Sequence, residues 1–395
     1  MAEVRNIVIL GASFAGLGTA HYVCKHILPK LSAVENVKYV LHIVSPSTHF
    51  WWNISAPRAI VSVEEIKHEK YFVPVMDGFK QYTDLQDSIS FHHGTATAMD
   101  LKNRTVTVTL PNDEIEELNY YALIIATGVR SPTPLTTLHG DHTISTTALE
   151  NMNVKLTTAQ DVVIGGGGPV AVETAGEIGS RFQGRNAKVT LITGAEKLLP
   201  QLSQARATKA EGLLKKVGVT VRYSTKVSNS RDTEDGKVEV TLDDGTVLHC
   251  DAYIPAFGVV PNTEFLPAQL KSATAHVATT ESTLRVDAAG PRVYAAGDVA
   301  GVDNGGVINM YTSLPVLGAN LAHDLFEDAK VGKFSERKYA FKPHGTHVVP
   351  IGPKTGVGAV YGFGLPGFVV AFAKGKDYLG GNISEFSEGK KFTKA

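Results

Sequence analysis

Asn6–Ala20 reads NIVILGASFAGLGTA, and its interpretation decides the fold. Four apolar residues, Ile7, Val8, Ile9 and Leu10, run into Gly11. Ser13, Phe14, Ala15 and Gly16 follow, and then a run of small, helix-compatible residues. Strand, tight turn and helix in that order are the opening of a dinucleotide-binding unit, with Gly11-x-Ser13-x-x-Gly16 at the turn. Gly11 permits the sharp turn, position 13 must let a pyrophosphate approach the backbone, and Gly16 lets the helix pack closely on the strand. The helix N-terminus offers unpaired N–H groups and the positive end of its dipole to phosphate. Ser13 stands where a middle glycine is usual, so the match is imperfect.

Asp161–Glu173, DVVIGGGGPVAVE, repeats the pattern, an apolar strand entering Gly166-x-Gly168-x-x-Ala171. Alanine is allowed at the third position. Two such turns in one chain predict two nucleotide-binding units of ordinary domain size. Tyr121–Gly128 (YALIIATG) and Asp251–Gly258 (DAYIPAFG) echo one another, as strands of two related units would.

Working outward, the first helix is expected over Ser13–Leu28, closed by Pro29, and the second strand over Val37–Val44. That strand ends at Ser45, where a ribose-binding acid is usual, and a hydroxyl binds ribose more weakly than a carboxylate. Trp51 and Trp52 read equally as plain core or as cover for a planar cofactor. Phe91–Ala98 and Thr105–Leu110 read as paired strands. Neighbours on a strand face opposite ways, so His92 and His93 cannot chelate one metal ion. Ser131–Leu138 reads as a linker, and the second unit begins near Asn151. Its strand Ala187–Thr193 also lacks the ribose acid, and Lys197 is a nearby cation that could accept a ribose phosphate. Strands are expected at Val217–Tyr223, Lys237–Leu242 and Val247–Cys250, with Asp244-Gly245 as a hairpin turn. Gly297-Asp298 follows a short apolar strand. A helix is expected to start near Tyr311, capped by Thr312 or Ser313. Thr346–Ile351 and Val357–Tyr361 suggest a final hairpin.

The 395 residues suffice for two or three domains, and 43% apolar with 19% charged residues is ordinary globular composition. Lys plus Arg is 38 against 39 Asp plus Glu, so no basic field attracts nucleic acid. No apolar run reaches a membrane span. The first strand follows Met1 almost at once, leaving no room for a leader, Ala2 excludes ordinary N-myristoylation, and Phe392–Ala395 is no sorting address; the cytoplasm is expected. Cys24 and Cys250 are the two cysteines and form no dithiol motif, which excludes disulfide-reductase chemistry and a cysteine zinc site; no metal site is expected.

The order of Gly11-x-Ser13-x-x-Gly16, HFWWNISAPRAIV, ALIIATG, VIGGGGPVAVETAGEI, VYAAGD and GVGAVYG…VVAFAKGKDYL resembles the apoptosis-inducing-factor-like, mitochondrion-associated flavoproteins, a family that includes ferroptosis suppressor protein, in a fungal-type form. More distantly the chain is similar to type II NADH:quinone oxidoreductases. The resemblance implies an α/β fold with two Rossmann-like dinucleotide-binding domains, glutathione-reductase-like, plus a small C-terminal α+β region. Residues 1–130 and 259–332 would form a discontinuous FAD domain, 131–258 an NAD(P)H domain, and 333–395 a region for dimerisation or the acceptor. It implies FAD as cofactor, NADH or NADPH as donor, and a quinone-type acceptor or dioxygen. Read from its own residues, the Gly-rich, apolar C-terminal region is either a dimerisation or packing layer or the wall of an apolar substrate slot in peripheral contact with a membrane surface, in a monomer or homodimer.

Carried over by position, Gly11, Ser13, Phe14, Ala15, Gly16, Ser45, Trp52, Asn53, Arg58, Ala96, Thr97, Ala126, Thr127, Gly128, Gly297, Asp298 and Leu314 would line the flavin site. Gly166, Gly168, Pro169, Val170, Thr193 and Gly258 would receive the nicotinamide nucleotide. Glu173 and Lys374 would be the catalytic pair near the reacting rings. Their plainer readings are a solvated first-turn carboxylate and an exposed surface lysine. A ferredoxin- or rubredoxin-type reductase, or a nucleotide-binding sensor with little turnover, are the rival functions.

Overall fold

The β-branched apolar run near the N-terminus forms the first strand of a five-stranded parallel sheet, and Ile7, Val8, Ile9 and Leu10 are all fully buried. Burying each such side chain contributes about 1.5–3 kcal/mol. The computed structural model describes residues 3–392; the readings made from Ala2 and from Thr393–Ala395 lie outside them. In chain order the first part contains β1 (Glu3–Leu10), α1 (Phe14–Tyr22), α2 (Leu28–Leu31), β2 (Val37–Ser45), β3 (His49–Trp51), α3 (Ala56–Ala59), α4 (His68–Tyr71), β4 (Phe72–Pro74), β5 (Ile89–His93), β6 (Thr95–Asp100), β7 (Thr105–Thr109), β8 (Ile115–Asn119), β9 (Ala122–Ile125) and β10 (Val129–Arg130). The second contains α5 (His142–Thr158), β11 (Asp161–Gly165), α6 (Pro169–Arg181), β12 (Lys188–Ile192), α7 (Gln204–Lys216), β13 (Val219–Arg222), β14 (Val227–Asp232), β15 (Val238–Leu242), β16 (Val247–Cys250), β17 (Ala252–Pro255) and β18 (Val260–Pro261). The chain then adds β19 (Val293–Ala295), α8 (Val307–Ala329), β20 (His347–Pro350), β21 (Gly356–Val360), β22 (Phe363–Gly364), α9 (Gly367–Val370) and α10 (Ile383–Ser387).

The large sheet runs β19-β9-β1-β2-β5, every pair parallel, so a strand from beyond residue 290 completes a sheet begun at residue 3. A second parallel sheet, β13-β12-β11-β17, repeats the central plan. Each is followed by a three-stranded antiparallel insertion, β6-β7-β8 or β14-β15-β16, ahead of the strand that pairs with the glycine-turn strand. The predicted echo is therefore real: β9 lies beside β1 as β17 lies beside β11. β10 and β18 pair antiparallel where the chain crosses between the two parts. The C-terminal hairpin β20-β21 forms as read, extended by β22.

Three local readings are corrected. The first helix does not stop at Pro29. It passes through a π-helical turn at Val23–Ile27 and resumes as α2, with Pro29 in its first turn, where a missing N–H costs nothing. The expected strand Phe91–Ala98 breaks at Gly94 into two strands of different sheets, and the chain passes so close to β7 there that a side chain would strike Val108 and Thr109. The helix read from Tyr311 begins at Val307 behind Gly306, and Pro315 is tolerated inside it.

Candidate functional site

The first glycine turn is built by close approach. Gly11 takes φ +106°, its N–H donates to Val44 O at 2.7 Å, and a Cβ placed there would lie 2.3 Å from Ala126 O. A Cβ on Gly16 would lie 1.8 Å from Gly11 O, so α1 rests directly on the turn. Ser13 is the exposed N-cap of α1, and its hydroxyl makes no capping bond. The open donors and the dipole end suit an anionic diphosphate.

The second turn copies the first. Gly166 takes φ +127°, donates to Ile192 O at 2.7 Å, and its Cβ would lie 2.3 Å from Ala256 O. Ala171 fills the third position, fully buried. A Cβ on Gly168 would meet nothing within 4 Å, leaving clear space above the N-terminus of α6, where Pro169 occupies the first turn and Val170 is partly exposed. Gly128 and Gly258, at the matching ends of the echoed strands, also face open space with positive φ. Both turns thus fit a dinucleotide.

Where the parts meet, charge is buried. Glu173 is 2% exposed and accepts from Lys374 Nζ at 2.5 Å; neither is the solvated group of the plainer reading. Burial outweighs the lysine's charge and pushes the Glu173 carboxyl up to about 7. One turn along α6, Glu177 accepts from Arg58 Nε at 3.1 Å and NH2 at 2.9 Å and from the Tyr378 hydroxyl at 2.9 Å. Arg58 also donates to Lys376 O. Its guanidinium, expected to line the flavin site, binds α6 and the C-terminal segment. Glu177 and Tyr378 were missed. The signal was present: Glu173 and Glu177 are four apart, one above the other on a helix face.

Several other expected contacts turn inward. Ser45 is buried and exchanges hydrogen bonds with Ser47 N and O, closing its own turn. Trp52 is buried with its indole N–H on Tyr378 O at 2.8 Å, and Trp51 stacks on Phe72, so both belong to the core. Phe14 packs edge-on against Phe50 and Phe386. Leu314 is buried against Gly18 of α1. Asn53 donates to Thr136 O. Thr127 and Asn262 exchange hydrogen bonds across the crossing strands. Ala126 is buried in the wall that Gly11 touches. Thr97 is exposed beside half-buried Ala96, on the bulged edge of β6. Gly297 approaches Ala15 so closely that a Cβ would lie 2.8 Å from it, which brings Asp298 to α1. Asp298 accepts from Gly306 N, and burial raises its carboxyl above the ordinary range.

At the second site Thr193 is buried and accepts from Ala195 N, and a Cβ on Gly167 would lie 2.4 Å from its hydroxyl. Lys197, read as a cation that could accept a ribose phosphate, donates to Leu202 O. The Lys226 stem instead crosses Gly194, close enough that a Cβ there would lie 2.6 Å from Lys226 Cγ. Cys24 and Cys250 are free and buried. Among the described residues, His323, Asp324 and Glu336 cluster as metal ligands could, but Arg285 binds both carboxylates at 2.6 Å. Among those residues no helix is long and apolar enough to cross a membrane.

The profile of the pyridine nucleotide-disulphide oxidoreductase family matches residues 5–317. Oxidoreductase phnG of Penicillium herquei is 39% identical over 396 residues, covering 95% of this chain and 94% of that protein. Ferroptosis suppressor protein 1 of Mus musculus is 27% identical, covering 95% of this chain and 93% of its own length. The solved sulfide:quinone oxidoreductase of Aquifex aeolicus shares the fold, with a TM-score of 0.69 at 15% identity over 99% of this chain and 93% of that one.

Proposed function

We propose that this chain, which belongs to the pyridine nucleotide-disulphide oxidoreductase family, is an FAD-dependent NAD(P)H oxidoreductase that delivers electrons to a quinone-type acceptor or dioxygen. One observation carries the reading: two matching phosphate turns lie in one chain, and the segments beside them are joined by buried ion pairs without a thiol pair. FAD, when bound, supplies the two-electron chemistry, and the protein supplies binding and tuning. The Gly11–Gly16 turn with Ser13 would hold its diphosphate, and Asp298 its hydroxyl-bearing chain. The Gly166–Val170 turn would hold the nicotinamide nucleotide. Residues 1–130 and 259–332 would serve the first and 131–258 the second, a division favoured by the return of β19 to the first sheet.

Lys374 donates to the buried Glu173 carboxyl, and a carboxyl near neutrality can release a proton when an acceptor is reduced. The C-terminal region would meet the acceptor. Tyr361, Phe363, Phe368 and Phe372 stand 72–80% exposed there, suited to an apolar acceptor or the lipid that carries it. The test is anaerobic: protein as purified should be yellow, bleach with NADH or NADPH, and recover colour with a soluble quinone. A colourless protein that takes up no FAD would refute the proposal.

A further inference from the structure

Residues 374–378 cross between the first part of the chain and α6, and three successive carbonyls are held. Arg58 donates to Lys376 O at 2.9 Å, the Tyr71 hydroxyl to Asp377 O at 2.9 Å and the Trp52 indole to Tyr378 O at 2.8 Å. On the other side the segment reaches α6 twice, through Lys374 to Glu173 and through the Tyr378 hydroxyl to Glu177. Tyr378 N donates to Lys374 O at 2.8 Å, so these two side chains leave a single turn. Arg58 and Glu177 are 4% and 6% exposed, and the guanidinium carbon lies 5.0 Å from the Tyr378 ring centroid. Two carboxylates on one face of α6 are thus matched by two cations from elsewhere in the chain. Such an arrangement is costly to bury unless its geometry matters, since well-packed apolar residues of similar volume would serve stability as well or better.

We propose that Arg58, Glu177 and Tyr378 are positioning residues that fix Lys374 against Glu173 and set the pH at which that pair exchanges its proton. The inference rests on the proposed role of the Glu173–Lys374 pair. Arg58 donates twice to Glu177, and the Glu177 carboxylate, one turn from Glu173, disfavours a second negative charge there. The Tyr378 hydroxyl ties the turn bearing Lys374 to the same carboxylate. Removing the Glu177 charge should therefore let Glu173 ionise at lower pH, although the hydrogen-bond partners of Glu177 are Arg58 and Tyr378 rather than Glu173 or Lys374.

The experiment is a pH titration of the flavin-loaded protein, read by its visible absorption and separately by the pH profile of quinone turnover. Glu177→Gln is expected to shift both midpoints to lower pH. Tyr378→Phe should cut quinone turnover about 3- to 10-fold with KM for the nicotinamide nucleotide unchanged, as loss of one transition-state alignment does. Should Glu177→Gln fail to fold with Arg58 left only its longer ion-pair contact to Glu65, the double variant Arg58→Met/Glu177→Gln removes both charges and is expected to shift the midpoints the same way. Folded variants with unmoved midpoints would reduce the cluster to a structural tie and overturn the inference. Glu173→Gln and Lys374→Met are run in parallel. If they too leave titration and turnover unchanged, the proposed role of the pair falls first, and this inference with it.

Discussion

Replacing Lys374 with methionine keeps most of the stem and removes the ammonium that donates to Glu173 Oε1 at 2.5 Å. Glu173 lies wholly within the protein and its carboxyl is pushed up to about 7 by burial, despite the opposing effect of Lys374. Well below that value wild type and variant both hold a neutral carboxyl, and the substitution costs one hydrogen bond, about 1 kcal/mol. Above it the wild type holds an ion pair, whereas the variant must bury a lone carboxylate or keep it protonated. Losing an opposite charge at contact moves a carboxylate upward by roughly 1–3 units, each worth about 1.4 kcal/mol. Because the folded value exceeds the unfolded one, this carboxyl's contribution to stability is full at acid pH and declines as pH rises toward 7. In wild type the decline ends just above 7; in the variant it continues to its higher midpoint. Lys374→Met should therefore cost about 1–3 kcal/mol more at about pH 9 than at about pH 6. Urea unfolding of flavin-loaded protein at the two pH values measures this, with Glu173→Gln and the double variant completing the cycle. Other titrating groups cancel in the difference. An equal cost at both pH values, or a difference that survives in the Glu173→Gln background, would refute the reasoning.

Three further outcomes are expected. Gly11→Ala puts a Cβ within 2.3 Å of Ala126 O at a residue with φ +106°, so flavin retained on purification should fall about tenfold or more, read from the ratio of flavin to protein absorbance. With Thr193 in place of a ribose acid and the Lys226 stem over Gly194, Lys226→Met should lower kcat/KM for NADPH about tenfold and that for NADH less than about twofold; equal losses would place the lysine away from the ribose. His21 is buried, stacked on Phe79 and joined to Ser387 O, and burial holds it down to about 3, so the native state refuses a proton that the unfolded chain takes near 6.5. Stability should be full above pH 6.5 and decline below it, with up to about 5 kcal/mol lost by pH 3, and His21→Asn should flatten that acid limb in urea unfolding.

What could be read beforehand follows from the range of the forces involved. The two turns were legible because their demands are local: Gly11 and Gly166 need positive φ and no side chain, whatever the rest of the chain does. The echo of Tyr121–Gly128 in Asp251–Gly258 was legible because a central parallel strand covered on both faces reads as a short apolar run ending in glycine. Helix limits were less so. Pro29 looks like a stop, yet it sits in the first turn of α2, after a π-helical turn that no residue pattern announces. The candidate site was half legible. Glu173 and Lys374 were named, but their contact spans 201 residues, and the Arg58–Glu177 pair spans 119. Local pattern cannot distinguish an arginine that will face a cofactor from one that will neutralise a carboxylate in another part of the chain, since both require a buried cation beside a helix. The distinction lies in the tertiary packing that brings α3, α6 and the C-terminal segment together. The Glu173–Glu177 spacing still narrows the choice. Two carboxylates on one face of an otherwise apolar helix must each find a cation when that face is buried, and Arg58 and Lys374 meet that requirement here.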